Sequence, residues 1–377
     1  MEKKELKETK EIKEQKEVKK SDISEKLEIL DSLAKTLPIV KDKDYAIKIE
    51  PFSSGSISLD LAIGIGGYPR GALIDIFGEE SSGKSLLSIM AMAQIQKIGG
   101  TVVVWDAERS YSKNIEWMKI NGVDTSKIRF LKLAPDVGAE EGFDAIEKII
   151  KEKAADLIVI DSIPSLIPSS MLKRDITDSV RIGERAAMLT NVLPRLVTLA
   201  DEYGTTIMTI NQMRQNIGGG FYGPQEKETS IMALKHHATI RLFVKKITKS
   251  IKIENGVPIS HRINIKIVKN KVAAPYKTAE FEINYTKGVN NYMELAEIII
   301  SSGLAKSKGG WIEFEGKKYH GIDEFVEHIK SDNIYNKYLN KIKSLKLSSY
   351  GIISEENNLV EDMKNEIKEI DISSIEI

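Results

Sequence analysis

The eight residues Gly78-Glu79-Glu80-Ser81-Ser82-Gly83-Lys84-Ser85 have the composition and spacing to hold a polyphosphate. Such a group needs several backbone N–H donors turned toward one point, and glycines permit the φ values and the close approach that a Cβ would block. A helix starting at the end of the loop adds the positive end of its dipole. Lys84 can reach the β- and γ-phosphates as a point charge, and the Ser85 hydroxyl suits Mg²⁺. The same glycines could make a plain turn. The apolar runs Leu73-Ile74-Asp75-Ile76-Phe77 before the loop and Leu86-Leu87-Ser88-Ile89-Met90-Ala91-Met92 after it supply the strand, loop and helix that the motif requires. They point to a site for a nucleoside triphosphate with Mg²⁺.

Two acidic positions follow apolar strands downstream. Thr101-Val102-Val103-Val104-Trp105 reads as a buried strand that delivers Asp106-Ala107-Glu108, and Leu157-Ile158-Val159-Ile160 as another that ends in Asp161-Ser162. An amphipathic helix over residues 140–153 and a short strand over 128–133 separate them. Strands alternating with helices predict a mostly parallel sheet, and in such sheets ligands bind outside the carboxyl ends of the strands. A carboxylate there is often only a turn residue. With the phosphate loop upstream, Asp161 is expected to partner Mg²⁺, directly or through one intervening group.

The rest of the chain must position these groups. At 377 residues and 41% hydrophobic content it can bury one large core with smaller appendages. There are no cysteines, which excludes disulfides and cysteine-based metal or thiol chemistry. Neither a signal peptide nor a membrane-length apolar run is legible, so a cytoplasmic protein without a membrane partner is expected. Lys+Arg and Asp+Glu are both 55, so any contact with nucleic acid must come from a local patch.

Residues 1–20 are almost all Lys and Glu and read as a solvated arm. Ile23, Leu27, Leu30, Leu33 and Leu37 recur at helical spacing and form a stripe that needs a surface to pack on, in this chain or a neighbour. The arm and this oligomerisation helix make up residues 1–50, and the core spans 51–290. Residues 182–203 look helical, but Pro194 in the interior would cost about 3 kcal/mol unless the helix kinks or restarts there. Residues 206–210 form a strand ending in Asn211-Gln212, and 213–230 are glycine-rich and read as a long functional loop. Strands are expected over 239–245, 261–269 and 279–285, with Glu254-Asn255-Gly256 as a hairpin turn. Residues 291–350 read as a small α/β domain, and 351–377 as an acidic, loosely ordered tail.

With these pieces placed, the chain resembles the bacterial RecA recombinase family, collinearly over roughly residues 53–345. The resemblance is carried by the phosphate loop, Asp106-Ala107-Glu108, Ile160-Asp161-Ser162, Ile210-Asn211-Gln212-Met213-Arg214 and Val268-Lys269-Asn270-Lys271-Val272-Ala273-Ala274-Pro275-Tyr276-Lys277. It implies an α/β fold: a P-loop ATPase core with a mostly parallel central sheet, an N-terminal helical arm and a small C-terminal α/β domain. It also implies a DNA-dependent ATPase, with ATP and Mg²⁺ as cofactors, that forms helical filaments on single-stranded DNA. Such filaments pair and exchange strands with double-stranded DNA in recombinational repair and the response to DNA damage, where a self-cleaving repressor is a further partner.

By the same resemblance Glu108 activates the attacking water, Gln212 senses the γ-phosphate and Asp161 is the acid beside Mg²⁺. Trp117 and Tyr285 stand where the family places aromatics against the adenine, and Lys269 and Lys271 match lysines that reach the ATP of the adjacent protomer. DNA contacts are expected from Arg174, Arg181 and Arg185 around a first loop, and from Arg214, Ile217, Gly218 and Gly219 in a second.

Departures mark a divergent member, for which a phage or plasmid origin fits. Gly183-Glu184-Arg185-Ala186-Ala187 replaces the family's Gly-Leu-Ala-Ala-Arg pattern, Pro194 replaces a basic position, and Ser230-Ile231-Met232 replaces Gly-Gly-Asn. His236-His237 stands where aromatics are usual. Two other readings compete. A ring-forming helicase or ATPase of the same core would keep Lys84, Glu108 and Asp161 but not the Lys269-to-Pro275 stretch, and a DNA-coating scaffold would have no need of Glu108.

Overall fold

The computed structural model describes residues 23–39, 49–173, 183–215, 226–228 and 232–348. They divide between two units, Met1–Ile49 and Glu50–Ile377. In the first, residues 23–33 are helical, and Ile23, Leu27, Leu30 and Leu33 are all exposed. The charged arm and the acidic tail lie outside the described residues.

The second unit is built on a ten-stranded sheet. Along it run Gly288–Val289, Thr278–Asn284, Val257–Asn270, Ile240–Glu254, Leu73–Gly78, Thr206–Gln215, Leu157–Asp161, Val102–Asp106 and Ile128–Leu131, and Glu226–Glu228 pairs with Thr206–Gln215 off this path. From Ile240–Glu254 to Ile128–Leu131 every neighbouring pair is parallel. The remaining pairings are antiparallel.

Strand periodicity decides which side chains meet which helices. Ile74, Ile76, Val102, Val104, Leu157 and Val159 pack on one face with Leu87, Met90 and Ile95 of the Lys84–Lys97 helix. Leu73, Val103, Trp105, Ile158 and Ile160 point the other way, toward Phe143, Ile146 and Ile150 of Ala139–Lys151 and toward Leu189, Leu193 and Leu196 of Glu184–Tyr203. Both faces are covered, so the parallel strands read as unbroken apolar runs.

Three elements differ from their sequence reading. The Glu184–Tyr203 helix runs through Pro194 without a break. Full burial of Leu189, Leu193 and Leu196 on one stripe contributes about 1.5–3 kcal/mol each, enough to offset the proline. Ile57–Ile63, which gave no helical reading, is a capped helix: Ser56 Oγ accepts from Leu59 N at 3.2 Å, and Gly64 closes it at φ 94°. The expected loop after Gln212 begins as a ribbon instead, because Met213, Arg214 and Gln215 pair with Glu228, Lys227 and Glu226.

A separate apolar cluster joins Leu295 and Ile299 of Asn291–Ser301, Ile312 and Phe314 of a three-stranded antiparallel sheet, and Phe325 and Ile329 of Gly321–Ile329. Ile57 and Leu61 belong to it as well. Glu294, 2% exposed, fixes this contact: its Oε2 accepts from Ile57 N at 2.9 Å, and its Oε1 from Ser58 N at 2.9 Å and Ser56 Oγ at 2.5 Å. A carboxylate from the Asn291–Ser301 helix therefore caps the Ile57–Ile63 helix, where the free N–H groups and the dipole both favour negative charge.

Candidate nucleotide site

The phosphate loop starts at Gly78, the last residue of the central Leu73–Gly78 strand. A Cβ there would stand 2.1 Å from the Val244 carbonyl oxygen of the adjoining strand, so no other residue fits. Ser81 at φ 57° and Gly83 at φ 96° complete the turn into the Lys84–Lys97 helix, whose first turn carries no acidic residue. Its positive end is therefore left for a ligand. Lys84 is buried and its Nζ donates to the Glu79 carbonyl. Burial holds its pKa below the usual lysine value, while Asp161, Glu108, Glu80 and Glu79 pull it back up.

Asp161 closes the Leu157–Asp161 strand and accepts from Ser85 Oγ at 2.8 Å. Burial raises its pKa to about 6, against the hydrogen bonds from Ser85 and Tyr111, with Glu108 and Asp106 raising it further. Tyr111 is itself fixed by Ser88 Oγ at 2.7 Å. Asp106 holds that segment down, its carboxylate accepting from the backbone N–H groups of Ser110, Tyr111 and Ser112 at 2.8, 3.1 and 3.2 Å.

Glu108 lies two residues beyond the Val102–Asp106 strand and is anchored by its own N–H, which donates to Asp161 O at 3.2 Å. Its Oε1 accepts from Ser162 Oγ, from Ser165 Oγ at 3.2 Å and from Gln212 Nε2 at 2.8 Å. Gln212 pairs in register with Gly78, and Asp106 with Asp161. Four neighbouring parallel strands thus deliver Lys84, Gln212, Asp161 and Glu108 to one edge of the sheet.

From the loop a cleft of about 430 Å³ runs past Ser110, Tyr111 and Asn114 to Trp117, His261, Ile283 and Tyr285. The two predicted aromatics are brought together here, each half-buried, and the His261 and Tyr285 rings are 5.4 Å apart.

Lys269 and Lys271 are not brought to this edge. Lys269 pairs with Arg241, which pairs with Asp75, three residues before Gly78, and it lies eight residues along its strand from His261. Lys269 thus stands roughly 10 Å of extended backbone below Gly78 and two strand spacings of about 4.8 Å across from it, beyond the reach of a lysine side chain from the phosphate loop. Lys269 Nζ instead donates to the Lys235 and His236 carbonyls at 2.6 and 2.8 Å, at the end of the Met232–His237 helix. Asn270 between the lysines pins the turn, donating to Ile63 O at 2.9 Å and accepting from the N–H groups of Val272 and Ala273 at 3.0 and 3.1 Å.

Of the expected DNA contacts, Arg174, Arg181, Ile217, Gly218 and Gly219 lie outside the described residues, as do Ser230 and Ile231. Arg214 is placed by its backbone, opposite Lys227. Arg185 is half-buried, its Nε donating to Leu166 O at 2.9 Å.

The residues present fit a nucleoside triphosphate with Mg²⁺. Ser82 Oγ at the loop is buried without a hydrogen-bond partner among the described residues, and Ser85 and Asp161 offer the hard oxygen donors that magnesium takes. Sequence reasoning missed Ser88, Tyr111, Ser162 and Ser165. Only the neighbouring Asp161-Ser162 and Glu108 could have pointed to one of them, since hydroxyls carry no pattern of their own.

Residues 25–290, well over half of the chain, match the model of the RecA N-terminal domain. The chain is 37% identical to Protein RecA of Mycoplasma mycoides over 320 residues, covering 84% of this chain and 90% of that protein. It is 38% identical to Protein RecA of Campylobacter fetus subsp. fetus over 270 residues, 72% of this chain and 76% of that one. With Protein RecA of Chloroherpeton thalassium it shares 34% over 303 residues, 80% and 82% of the two chains. Identity at this level across most of both chains, on a sheet that gathers the expected carboxylates beside the phosphate loop, shows that the chain belongs to the RecA family of DNA-repair recombinases.

Proposed function

We propose that the protein hydrolyses ATP at this edge of the sheet when bound to DNA, and that it works as a filament on single-stranded DNA that pairs and exchanges strands with a homologous duplex. The observation that carries this reading is a division of charge. Lys84, Glu108, Asp161 and Gln212 meet at one edge, while Lys269 and Lys271 stand out of their reach on the same chain. Lysines so placed serve a second copy, which makes turnover depend on assembly. A heterologous contact of this kind builds an open helix when its rotation does not close, and a ring when it does.

Within the site, Lys84 offsets phosphate charge and Glu108 takes the proton of the attacking water. The Gln212 amide holds Glu108 and would turn to the γ-phosphoryl oxygens. Ser85 and Asp161 would hold Mg²⁺, which supplies charge neutralisation on the transferring group. Trp117 and Tyr285 flank the base. Arg214 and the loop after it, with Arg174, Arg181 and Arg185, are assigned to DNA. We assign residues 51–290 to the ATPase core and 291–350 to a small domain on it. A self-cleaving repressor is a further partner and the cytoplasm the setting.

A strand-exchange assay with homologous single-stranded and duplex DNA tests the reading, with ATP turnover followed in parallel. Product formed only with ATP, together with filaments in electron micrographs, is expected. Rings without strand exchange would favour a ring-forming ATPase, and coated DNA without turnover a scaffold.

A further inference from the structure

His261 sits in the Val257–Asn270 strand opposite Ile283, borders the cleft that continues from the phosphate loop, and is 5% exposed. Neither Nδ1 nor Nε2 has a hydrogen-bond partner among the described residues. A histidine with a purely structural role gives at least one nitrogen to a carbonyl, hydroxyl or carboxylate, because a buried donor or acceptor left unmade keeps its full desolvation cost. Here the neighbouring wall is Ile283 and the Tyr285 ring. Burial, and then Lys246, depress the imidazole pKa, so the ring is neutral and carries one donor and one acceptor. Elsewhere in the cleft, Asn114 gives one amide hydrogen to Ser110 O at 2.8 Å and is exposed, so unlike His261 it buries no unmade hydrogen-bonding group.

We propose that His261 hydrogen-bonds the edge of the purine base whose phosphates Lys84 holds, and so sets the base preference of the site. The proposal rests on reading that loop as a nucleotide site. Trp117 and Tyr285 offer faces for stacking, but stacking is tolerant because every base has a π-face, whereas an edge hydrogen bond discriminates. The Cβ–Cγ torsion of histidine is broad, and rotation about that bond would bring a nitrogen to the cleft. The acceptor nitrogen meets the exocyclic amino group of adenine, or the donor nitrogen meets N7.

The test is the Mg²⁺-dependent affinity of the full chain for tripolyphosphate, ATP, purine riboside triphosphate, which lacks the amino group, and 7-deaza-ATP, which lacks N7. It is run on the wild type, His261→Phe and His261→Gln. The wild type is expected to bind one analogue about three- to tenfold more weakly than ATP, the factor of one neutral hydrogen bond. In His261→Phe that gap closes while tripolyphosphate affinity stays within about twofold, a hydrogen-bond effect confined to the base. His261→Gln, with an amide donor and acceptor, keeps part of the gap and guards against a packing defect in the phenylalanine variant. A gap that survives in His261→Phe, or wild-type affinities equal for all three nucleotides, overturns the assignment of His261 alone. Failure of the wild type to bind even tripolyphosphate overturns the nucleotide-site reading and this proposal with it.

Discussion

Gln212 Nε2 donates to Glu108 Oε1 at 2.8 Å across the Leu157–Asp161 strand that lies between their own two strands in the sheet. One amide thus holds the carboxylate assigned to water activation, and three residues later its strand leaves the described chain for the segment assigned to DNA. Gln212→Ala is expected to leave ATP affinity nearly unchanged. It should remove both the stimulation of hydrolysis by DNA and the gain in DNA affinity with ATP. The measurement is DNA binding with and without a slowly hydrolysed ATP analogue at two salt concentrations, since phosphate contacts make such binding salt-sensitive. An unchanged ATP-dependent gain would leave Gln212 a local partner of Glu108 and nothing more.

Lys84 and Glu108 should fail in different ways. Lys84→Ala removes charge that offsets the phosphates already in the ground state, so nucleotide affinity is expected to drop about ten- to a hundredfold. Glu108→Gln keeps Mg-ATP and DNA binding and lowers turnover by roughly 10²–10⁴-fold, the range of a lost general base. Titration of ATP binding beside steady-state hydrolysis separates the two. Wild-type turnover in Glu108→Gln would remove the residue from the chemistry.

The separation of Lys269 and Lys271 from their own cleft leads to a mixing experiment. Protein carrying Lys269→Ala and Lys271→Ala is expected to be inactive alone, as is Glu108→Gln. Mixtures should recover part of the ATPase rate, because some interfaces then pair an intact Glu108 with intact lysines from the neighbour. No recovery in mixtures shown to co-assemble would mean that each chain builds its site alone.

Glu294 makes a prediction about stability. Glu294→Ala leaves the N–H groups of Ile57 and Ser58 without their side-chain acceptor. Each buried donor so orphaned costs roughly 1–3 kcal/mol. Chemical denaturation should show the loss, and limited proteolysis should cut first near residues 291–350. A variant as stable and as resistant as the wild type would make this capping contact incidental.

Asp60 gives a pH signature. Burial raises its pKa to about 6, despite hydrogen bonds from Ser53 Oγ and Ser54 N, both at 2.6 Å. An acid whose folded pKa lies above its unfolded value binds more protons when folded, so its contribution to stability falls as pH rises between the unfolded value near 3.8 and about 6. Asp60→Asn removes this slope. Relative to the wild type the variant should gain on the order of 1–3 kcal/mol between about pH 4 and pH 7. Denaturation midpoints at the two pH values measure it, and a constant difference would contradict the raised pKa.

Chemistry-bearing positions with a local signature are legible in the amino-acid order alone. Gly78 to Ser85 announce a phosphate loop because backbone conformation and glycine tolerance are local properties. Unbroken apolar runs ending at Asp106 and Asp161 announce buried parallel strands, since burial on both faces removes the alternation of a half-exposed strand. What these positions touch depends on the fold. Gln212 meets Glu108, Glu294 caps Ile57 and Tyr111 braces Asp161 because strand order brings together residues far apart in the chain, and nothing in a single side chain's type records its partner across a sheet. Only packing settled Pro194, where three buried leucines outweigh a local rule. His261 shows the same limit. Its sequence neighbourhood is that of an ordinary strand, and only the fold places it, buried and without a hydrogen-bond partner among the described residues, at the wall of the cleft that runs from the phosphate loop.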